Sequence, residues 1–134
     1  MYLLDTNVVS ELRRPDRAGA ALQTWVRSIP PFQLYLSAIS ILELEIGMLR
    51  IERRDLRQGQ MLKAWLVTQV LPSFAGRILA VDTAVALRAA TLHVPDPKPD
   101  RDAFIAATAL VHGLTVVTRN IGDFAPTGVP LLNP

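Results

Sequence analysis

The sequence predicts an α/β fold, a three-layer α/β/α sandwich with a short parallel sheet at its centre. Its short apolar segments, such as Tyr2–Leu4, lack the polar alternation of half-exposed strands and are typical of strands buried on both faces. Segments with apolar residues at helical spacing separate them, as in proteins that alternate strands and helices. With 134 residues, half of them apolar, we expect one domain spanning residues 1–134.

The first half of the chain predicts two strands and four helices. The apolar run Tyr2–Leu4 is the first strand, and the second follows a double proline, which cannot lie within a central strand. Apolar residues at helical spacing define the helices, and Ser40 is expected to open the third of them. The predicted strands are 2–4 and 34–36, and the predicted helices are 7–14, 17–29, 40–52 and 56–70.

The second half predicts three strands and two helices. Asp82 and Asp100 are expected to cap the helices that follow them, and Gly113 is expected to end the second helix. The predicted strands are 78–81, 115–118 and 131–132, and the predicted helices are 85–92 and 103–112.

Composition excludes several classes of function. The absence of cysteine excludes disulfides, thiolate zinc sites and cysteine nucleophiles. No apolar run approaches the ~18 residues of a membrane span, and residues 1–5 do not resemble a signal peptide. We therefore expect a cytoplasmic protein that does not bind a membrane. The net charge of +2 excludes binding to nucleic acid by bulk attraction alone.

Four acidic residues are predicted to meet at one edge of the sheet. In parallel sheets the ligand site lies at the carboxyl ends of the strands, near the point where strand order reverses. Asp5 and Asp123 follow predicted strands, while Glu43 and Asp102 lie in the first turns of predicted helices. Crowded carboxylates repel one another, and protonation or a bound cation must relieve that repulsion.

Each acid also has a purely structural interpretation. Asp5 can cap the helix after it, Asp102 is favoured at a helix N-terminus by the helix dipole, and Asp123 is ordinary in a turn. Ser40 and Glu43 have the spacing of a capping box. Their combination favours a metal site, and oxygen ligands without His or Cys select Mg²⁺ or Mn²⁺. Such a site can cleave phosphodiesters.

Gly47 lies four residues after Glu43 on the same predicted helical face. A glycine inside a helix costs about 1 kcal/mol relative to alanine. It either clears space beside the carboxylate or allows two helices to pack closely, and the sequence leaves both readings open.

At these residues the chain resembles the PIN-domain family, and within it the VapC/FitB-like toxins of bacterial toxin–antitoxin pairs. The matching segments span nearly the whole chain in family order. They are Leu4-Asp5-Thr6-Asn7, Ser40-Ile41-Leu42-Glu43-Leu44-Glu45-Ile46-Gly47, Asp102-Ala103-Phe104-Ile105-Ala106-Ala107-Thr108-Ala109, Val117-Thr118-Arg119-Asn120 and Asp123-Phe124.

The resemblance implies a PIN-like sheet of strand order 3-2-1-4-5 and a Mg²⁺- or Mn²⁺-dependent endoribonuclease. It also implies a homodimer and a cognate antitoxin, whose groove we expect at residues 44–57 and 61–71. The implied site residues fall into two groups. The implied metal ligands are Asp5, Glu43, Asp102 and Asp123, and the polar residues that orient ligands or water are Thr6, Thr118 and Asn120.

Three alternatives remain at this stage. The first alternative is an aspartyl-phosphate enzyme or receiver domain, which also has an Asp after its first strand. A dehalogenase-type enzyme of this class needs a second Asp two residues later, where this chain has Asn7. A receiver needs a lysine after a late strand, where this chain has Arg119. The other two are a non-catalytic RNA-binding module and a DNA nuclease of the same fold, since nothing here senses the 2′-hydroxyl.

Overall fold

A computed structural model describes residues 1–14 and 19–134 of the chain. Its five strands form one sheet of order β3-β2-β1-β4-β5, in which every pair is parallel. The strands are Tyr2–Leu4 (β1), Leu34–Ser37 (β2), Ile78–Leu79 (β3), Thr115–Val117 (β4) and Leu131–Leu132 (β5). The predicted parallel sheet and its strand order are confirmed.

Helices connect the strands and cover the sheet. The helices are Thr6–Leu12 (α1), Ala20–Ser28 (α2), Ala38–Arg54 (α3), Leu56–Trp65 (α4), Leu71–Ser73 (α5), Thr83–Leu92 (α6), Asp100–His112 (α7) and Ile121–Phe124 (α8). A π-helical stretch, Leu66–Val70, joins α4 to α5. The first two residues of the predicted helix 17–29 lie outside the described residues. No helix within residues 1–14 and 19–134 combines the length and apolar character needed to cross a bilayer.

The sheet separates two apolar cores, which confirms the three-layer arrangement. On one face Leu4 and Val117 pack with residues of α1 to α4 and the π-helical stretch. On the other face Leu3 and Val116 pack with α7 and α8. Alternate residues of β1 and β4 therefore point into opposite cores, which explains why Leu3, Leu4, Val116 and Val117 are all apolar.

The start of α3 differs from the prediction. Ser37, not Ser40, is the N-cap, and its hydroxyl accepts a hydrogen bond from the backbone N–H of Ile39 at 3.0 Å. The helix therefore begins three residues earlier than it would if Ser40 were the N-cap, and Glu43 lies in its second turn. The predicted capping box between Ser40 and Glu43 is wrong, because its glutamate must lie at the third helical position.

The start of α7 also differs, whereas two other helix boundaries agree. Pro99 is the N-cap, and Asp100 is the first residue of the helix. Its side chain makes no capping hydrogen bond, so the prediction that Asp100 caps α7 is wrong. The Pro99 carbonyl already accepts the N–H of Ala103. Asp82 caps α6 through the N–H of Val85 at 2.9 Å, and Gly113 ends α7 with a φ of +67°.

Gly59 allows α3 and α4 to approach closely. A Cβ atom on Gly59 would lie 2.5 Å from the Cα of Glu52, a distance that atoms in proteins do not tolerate. The hairpin of α3 and α4 therefore requires a glycine at this point. The hairpin places α4 beside the helix that carries Glu43.

Candidate metal site at the switch point of the sheet

The candidate site lies where the strand order reverses. The chain runs from β1 through β2 and β3 to one edge of the sheet, and through β4 and β5 to the other edge. Asp5 follows β1 and Thr118 follows β4, so the two residues leave neighbouring strands at the same end. This is the position at which open α/β sheets bind their ligands.

Asp5 is buried and held at both oxygens. Its side chain is 5% exposed. Oδ1 accepts the backbone N–H of Thr6 at 2.8 Å, and Oδ2 accepts the hydroxyl of Thr118 at 2.8 Å. The first bond makes Asp5 the N-cap of α1, and the second joins the two strands at the switch point. Asp5 is therefore both a cap and a member of the site, so the two predicted roles are compatible.

Glu43 is joined to the same region through Thr6. The Thr6 hydroxyl lies 2.8 Å from Oε1 of Glu43 and 3.0 Å from the hydroxyl of the buried Ser40. Because a carboxylate only accepts, Thr6 donates its proton to Glu43. Thr6 thus contributes its N–H to Asp5 and its hydroxyl to Glu43. Ser40, predicted as a cap, instead contacts this bridging hydroxyl.

Asp102 and Asp123 form the second half of the site. Asp102 is the third residue of α7, and Asp123 lies in the short helix α8 after β4. Within residues 1–14 and 19–134, neither carboxylate accepts a hydrogen bond or forms an ion pair. Both side chains therefore retain their oxygens for a ligand.

Electrostatic repulsion connects the four acids. Burial raises the pKa of Asp5 above its usual value, although its hydrogen bonds from Thr118 and Thr6 oppose the shift, and the charges of Glu43 and Asp123 raise it further. Burial also raises the pKa of Asp102, as do the charges of Asp5, Asp123 and Glu43. The structure therefore brings the four predicted acids within electrostatic reach of one another.

The four acids are near one another without forming a closed metal cage. In the described part of the chain, no three His, Asp or Glu side chains are gathered closely enough to hold an ion by themselves. Mg²⁺ usually takes only one or two protein carboxylates and completes its shell with water and substrate phosphate. The donor set, four carboxylates and no nitrogen or sulfur, fits such a hard cation.

The two polar residues after β4 have different surroundings. Thr118 is fully buried, and its hydroxyl donates to Asp5 and accepts the N–H of Asn120 at 2.9 Å. Asn120 is half-buried at the start of α8, and its side chain makes no capping hydrogen bond. Thr118 therefore orients Asp5, whereas the amide of Asn120 is available to a ligand at the edge of the site.

Arg119 holds the segment that carries Thr118 and Asn120, a role that the sequence analysis missed. Its guanidinium donates to both carboxylate oxygens of Glu11 in α1, at 3.1 and 3.3 Å, and to Oδ1 of Asn133 at 2.8 Å. The hydrogen bond from Arg119 is the main reason that the pKa of Glu11 is lowered. Arg119 and Glu11 lie 108 positions apart in the sequence, so only a sequence alignment could have signalled this pair.

A groove of about 440 Å³ extends from the site between α1, α3 and α4. Thr6, Glu43 and Arg101 line one end, and Leu62 and Trp65 of α4 line it further along. Arg101 approaches Glu43 at 3.8 Å, an exposed and weak ion pair. The groove coincides with the region in which the sequence analysis placed the antitoxin.

Comparisons with known proteins agree on one family. The family model described as the PIN domain matches residues 2–127. The VapC ribonuclease Y4jK of Sinorhizobium fredii is 37% identical over 144 aligned residues, which cover 100% of this chain and 97% of that protein. Toxin FitB of Neisseria gonorrhoeae is also 37% identical, with 100% and 98% covered. A crystal structure of FitAcB from N. gonorrhoeae matches with a TM-score of 0.90 at 37% identity, covering 100% of this chain and 98% of that chain.

Proposed function

The chain belongs to the PIN-domain family, and on that basis we propose that it is a metal-dependent endoribonuclease and the toxin of a toxin–antitoxin pair. The observation that carries the proposal is the coupling of Asp5, Glu43, Asp102 and Asp123 at the switch point of the sheet. Relatives of similar length are named ribonucleases or toxins. Ribonucleases of this family generally depend on a divalent metal ion, and we propose Mg²⁺ or Mn²⁺.

The proposed ligands are the four acids, one or two of them bound to the ion directly and the others through its water molecules. Hydrogen bonds already orient Asp5 and Glu43. A divalent ion held by these acids would supply positive charge for the transition state and would activate a water molecule. Thr118 and Thr6 keep Asp5 from rotating, and Thr6 also orients Glu43. We propose that the amide of Asn120 hydrogen-bonds water or a phosphate oxygen. Attack by water on phosphorus, in line with the bond to the 3′ oxygen, would break that bond; the phosphate stays on the 5′ oxygen and the 3′ oxygen takes a proton to become a hydroxyl.

The partners are proposed with the activity. The substrate is RNA, and the cognate antitoxin occupies the groove along α3 and α4, which Leu62 and Trp65 line. Solved structures of FitAcB and FitAB, and of a toxin-antitoxin complex from Klebsiella pneumoniae, support an antitoxin partner. We also propose a homodimer, a single domain over residues 1–134, and a cytoplasmic location, where cellular RNA is accessible.

The residues around Asp5 disfavour the aspartyl-phosphate alternative. A dehalogenase-type site needs a second Asp two residues after the first, where this chain has Asn7. The residue after Thr118, where a receiver places its lysine, is Arg119, which is bound to Glu11. The other two alternatives, a non-catalytic RNA-binding module and a DNA nuclease, are separated by the following assay.

The decisive experiment compares cleavage of RNA and of DNA by the purified wild-type chain and by Asp5→Asn. We expect Mg²⁺-dependent RNA cleavage that EDTA abolishes and that Asp5→Asn lowers by at least about 100-fold, the upper range for loss of a group that merely supports a metal ligand. Asp82→Asn is the matched control, because Asp82 also caps a helix but lies outside the coupled set. Cleavage that survives both EDTA and Asp5→Asn would disprove the proposal, and RNA binding without cleavage would favour the non-catalytic module.

A further inference from the structure

Gly47 lies in the middle of α3 at a position where folding does not need a glycine. Its φ is not positive, since the positive-φ glycines in the described ranges are Gly76, Gly113 and Gly128. A Cβ atom built on Gly47 meets no heavy atom within 4 Å. A glycine inside a helix is less stable than alanine. The fold therefore gains nothing from Gly47, in contrast to Gly59.

The empty space beside Gly47 is the groove that begins at the site. Gly47 lines this groove one helical turn after Glu43, and Arg50 lines it on the following turn. Any side chain at position 47 would project into the groove next to Glu43. The sequence left open whether this glycine clears space or packs two helices, and the geometry supports the first reading.

Two kinds of side chain in the groove suit a single-stranded nucleic acid. Arg50 and Arg101 line it, and guanidinium groups bind phosphates in bidentate geometry, although Arg101 also approaches Glu43. Trp65 also lines it, and bases of single strands stack on aromatic side chains.

We infer that this groove receives the part of the RNA strand next to the cleaved phosphate, and that Gly47 determines access to it. This inference rests on the proposed function and adds the path of the substrate. Thr6 and Glu43 line the groove and also belong to the candidate metal site. An RNA strand in the groove therefore reaches the carboxylates of that site. An antitoxin that occupies the same groove would inhibit the enzyme by displacing RNA.

The test measures RNA binding without cleavage. Anisotropy of a fluorescently labelled, mixed-sequence single-stranded RNA is recorded in EDTA for the wild type, Gly47→Leu, Gly47→Ala and Ala90→Leu. Ala90 is an exposed residue of α6 and does not line the groove, so Ala90→Leu adds the same side-chain type elsewhere. We expect Gly47→Leu to raise the Kd by at least about tenfold, within the range for loss of one stacked base, and Ala90→Leu to leave it unchanged.

Gly47→Ala separates an effect on the groove from an effect on folding. We expect it to raise the melting temperature, because a methyl group fits without contact, and to weaken RNA binding less than Gly47→Leu does. Binding by Gly47→Leu equal to that of the wild type would overturn the inference and leave the groove to a protein partner. Failure of the wild type to cleave RNA in Mg²⁺ is a separate result, which would overturn the proposed function.

Arg50 provides an independent test of the same path. Within residues 1–14 and 19–134, Arg50 forms no ion pair, so its charge is available to a phosphate. Arg50→Ala is expected to lower the slope of log Kd against log salt concentration by about 0.7, the value for one phosphate contact on a single strand. Arg88→Ala, on exposed α6, is the control and keeps the wild-type slope. An unchanged slope in Arg50→Ala would contradict the proposed path.

Discussion

The two halves of the site are built differently. Asp5 and Glu43 each accept hydrogen bonds from the protein, through Thr118 and through the backbone and side chain of Thr6. Asp102 and Asp123 accept none in the described ranges and are positioned only by the helices that carry them. Asp5 and Glu43 are therefore oriented before a ligand binds, whereas the carboxylate oxygens of Asp102 and Asp123 remain available to accept from a ligand.

This difference indicates how a site of like charges can exist in a folded protein. Hydrogen bonds from Thr118 and Thr6 oppose the rise in the pKa of Asp5 that burial causes. Asp102 has no such compensation, so its raised pKa reflects burial and repulsion alone. We call Asp5 and Glu43 the bonded half of the site. Its stability and activity should depend on the hydroxyl groups that donate to it, whereas the contribution of Asp102 and Asp123 should depend on their charge.

Thr118→Val should have the largest effect on stability and also reduce activity. Valine has a similar volume but leaves Asp5 Oδ2 and the N–H of Asn120 without their partner. An unsatisfied buried group costs about 1–3 kcal/mol of unfolding free energy, and loss of a ligand-orienting group lowers activity or metal affinity by about 10–100-fold. Urea denaturation and RNA cleavage measure the two effects. Thr118→Ser, which keeps the hydroxyl, should restore both, and a stable, active Thr118→Val would contradict the account of the bonded half.

Glu43→Gln should reduce activity without lowering stability. Glu43 lies beyond the first turn of α3 and does not cap it. Glutamine can still accept the hydroxyl of Thr6, and it removes a charge that repels Asp5 and Asp102, so the melting temperature in EDTA should equal or exceed that of the wild type. Cleavage in Mg²⁺ should fall by about 10-fold or more. A lower melting temperature with unchanged cleavage would instead assign Glu43 a structural role.

Asp102→Asn should have the smallest effect on folding, and its sign depends on pH. Because the pKa of Asp102 in the folded protein is raised above its ordinary value, ionisation of this residue favours unfolding. The contribution of Asp102 to stability is therefore fully present below its ordinary pKa and is lost as pH rises through the folded pKa. Asparagine does not titrate, so the stability of Asp102→Asn relative to the wild type should increase over that interval and then remain constant.

Melting temperatures across this pH range, recorded in EDTA, measure the effect. Addition of Mg²⁺ should stabilise the wild type more than Asp102→Asn, because a ligand that binds the folded state shifts the unfolding equilibrium. A stability difference that does not vary with pH would show that burial and the neighbouring charges do not raise the pKa of Asp102.

Several features of the fold and the site could be predicted from local sequence. The strands are short apolar runs, and Asp5 follows the first of them directly. Glu43 and Asp102 were placed near helix starts, and the structure couples both to Asp5. Such predictions succeed because hydrophobic periodicity and parallel strand geometry operate over a few residues.

The errors arose where alternative local patterns were equally suitable. Ser37 and Ser40 can each cap a helix, and the preceding strand β2 decides between them because it ends at Ser37. Asp100 resembles a cap, but the helix already begins with the carbonyl of Pro99. Local preference for a cap is worth about 1 kcal/mol, which tertiary packing readily overrides.

By itself, the sequence determined the α/β class, the parallel sheet and the position of Asp5 directly after the first strand, because these follow from the order and polarity of neighbouring residues. Only the tertiary structure decided which acids are bonded, that Arg119 pairs with Glu11, and that Gly59 packs helices while Gly47 opens a groove. Those features depend on contacts between residues distant in the chain. These contacts form when the helices pack on the sheet, and no local sequence pattern specifies them.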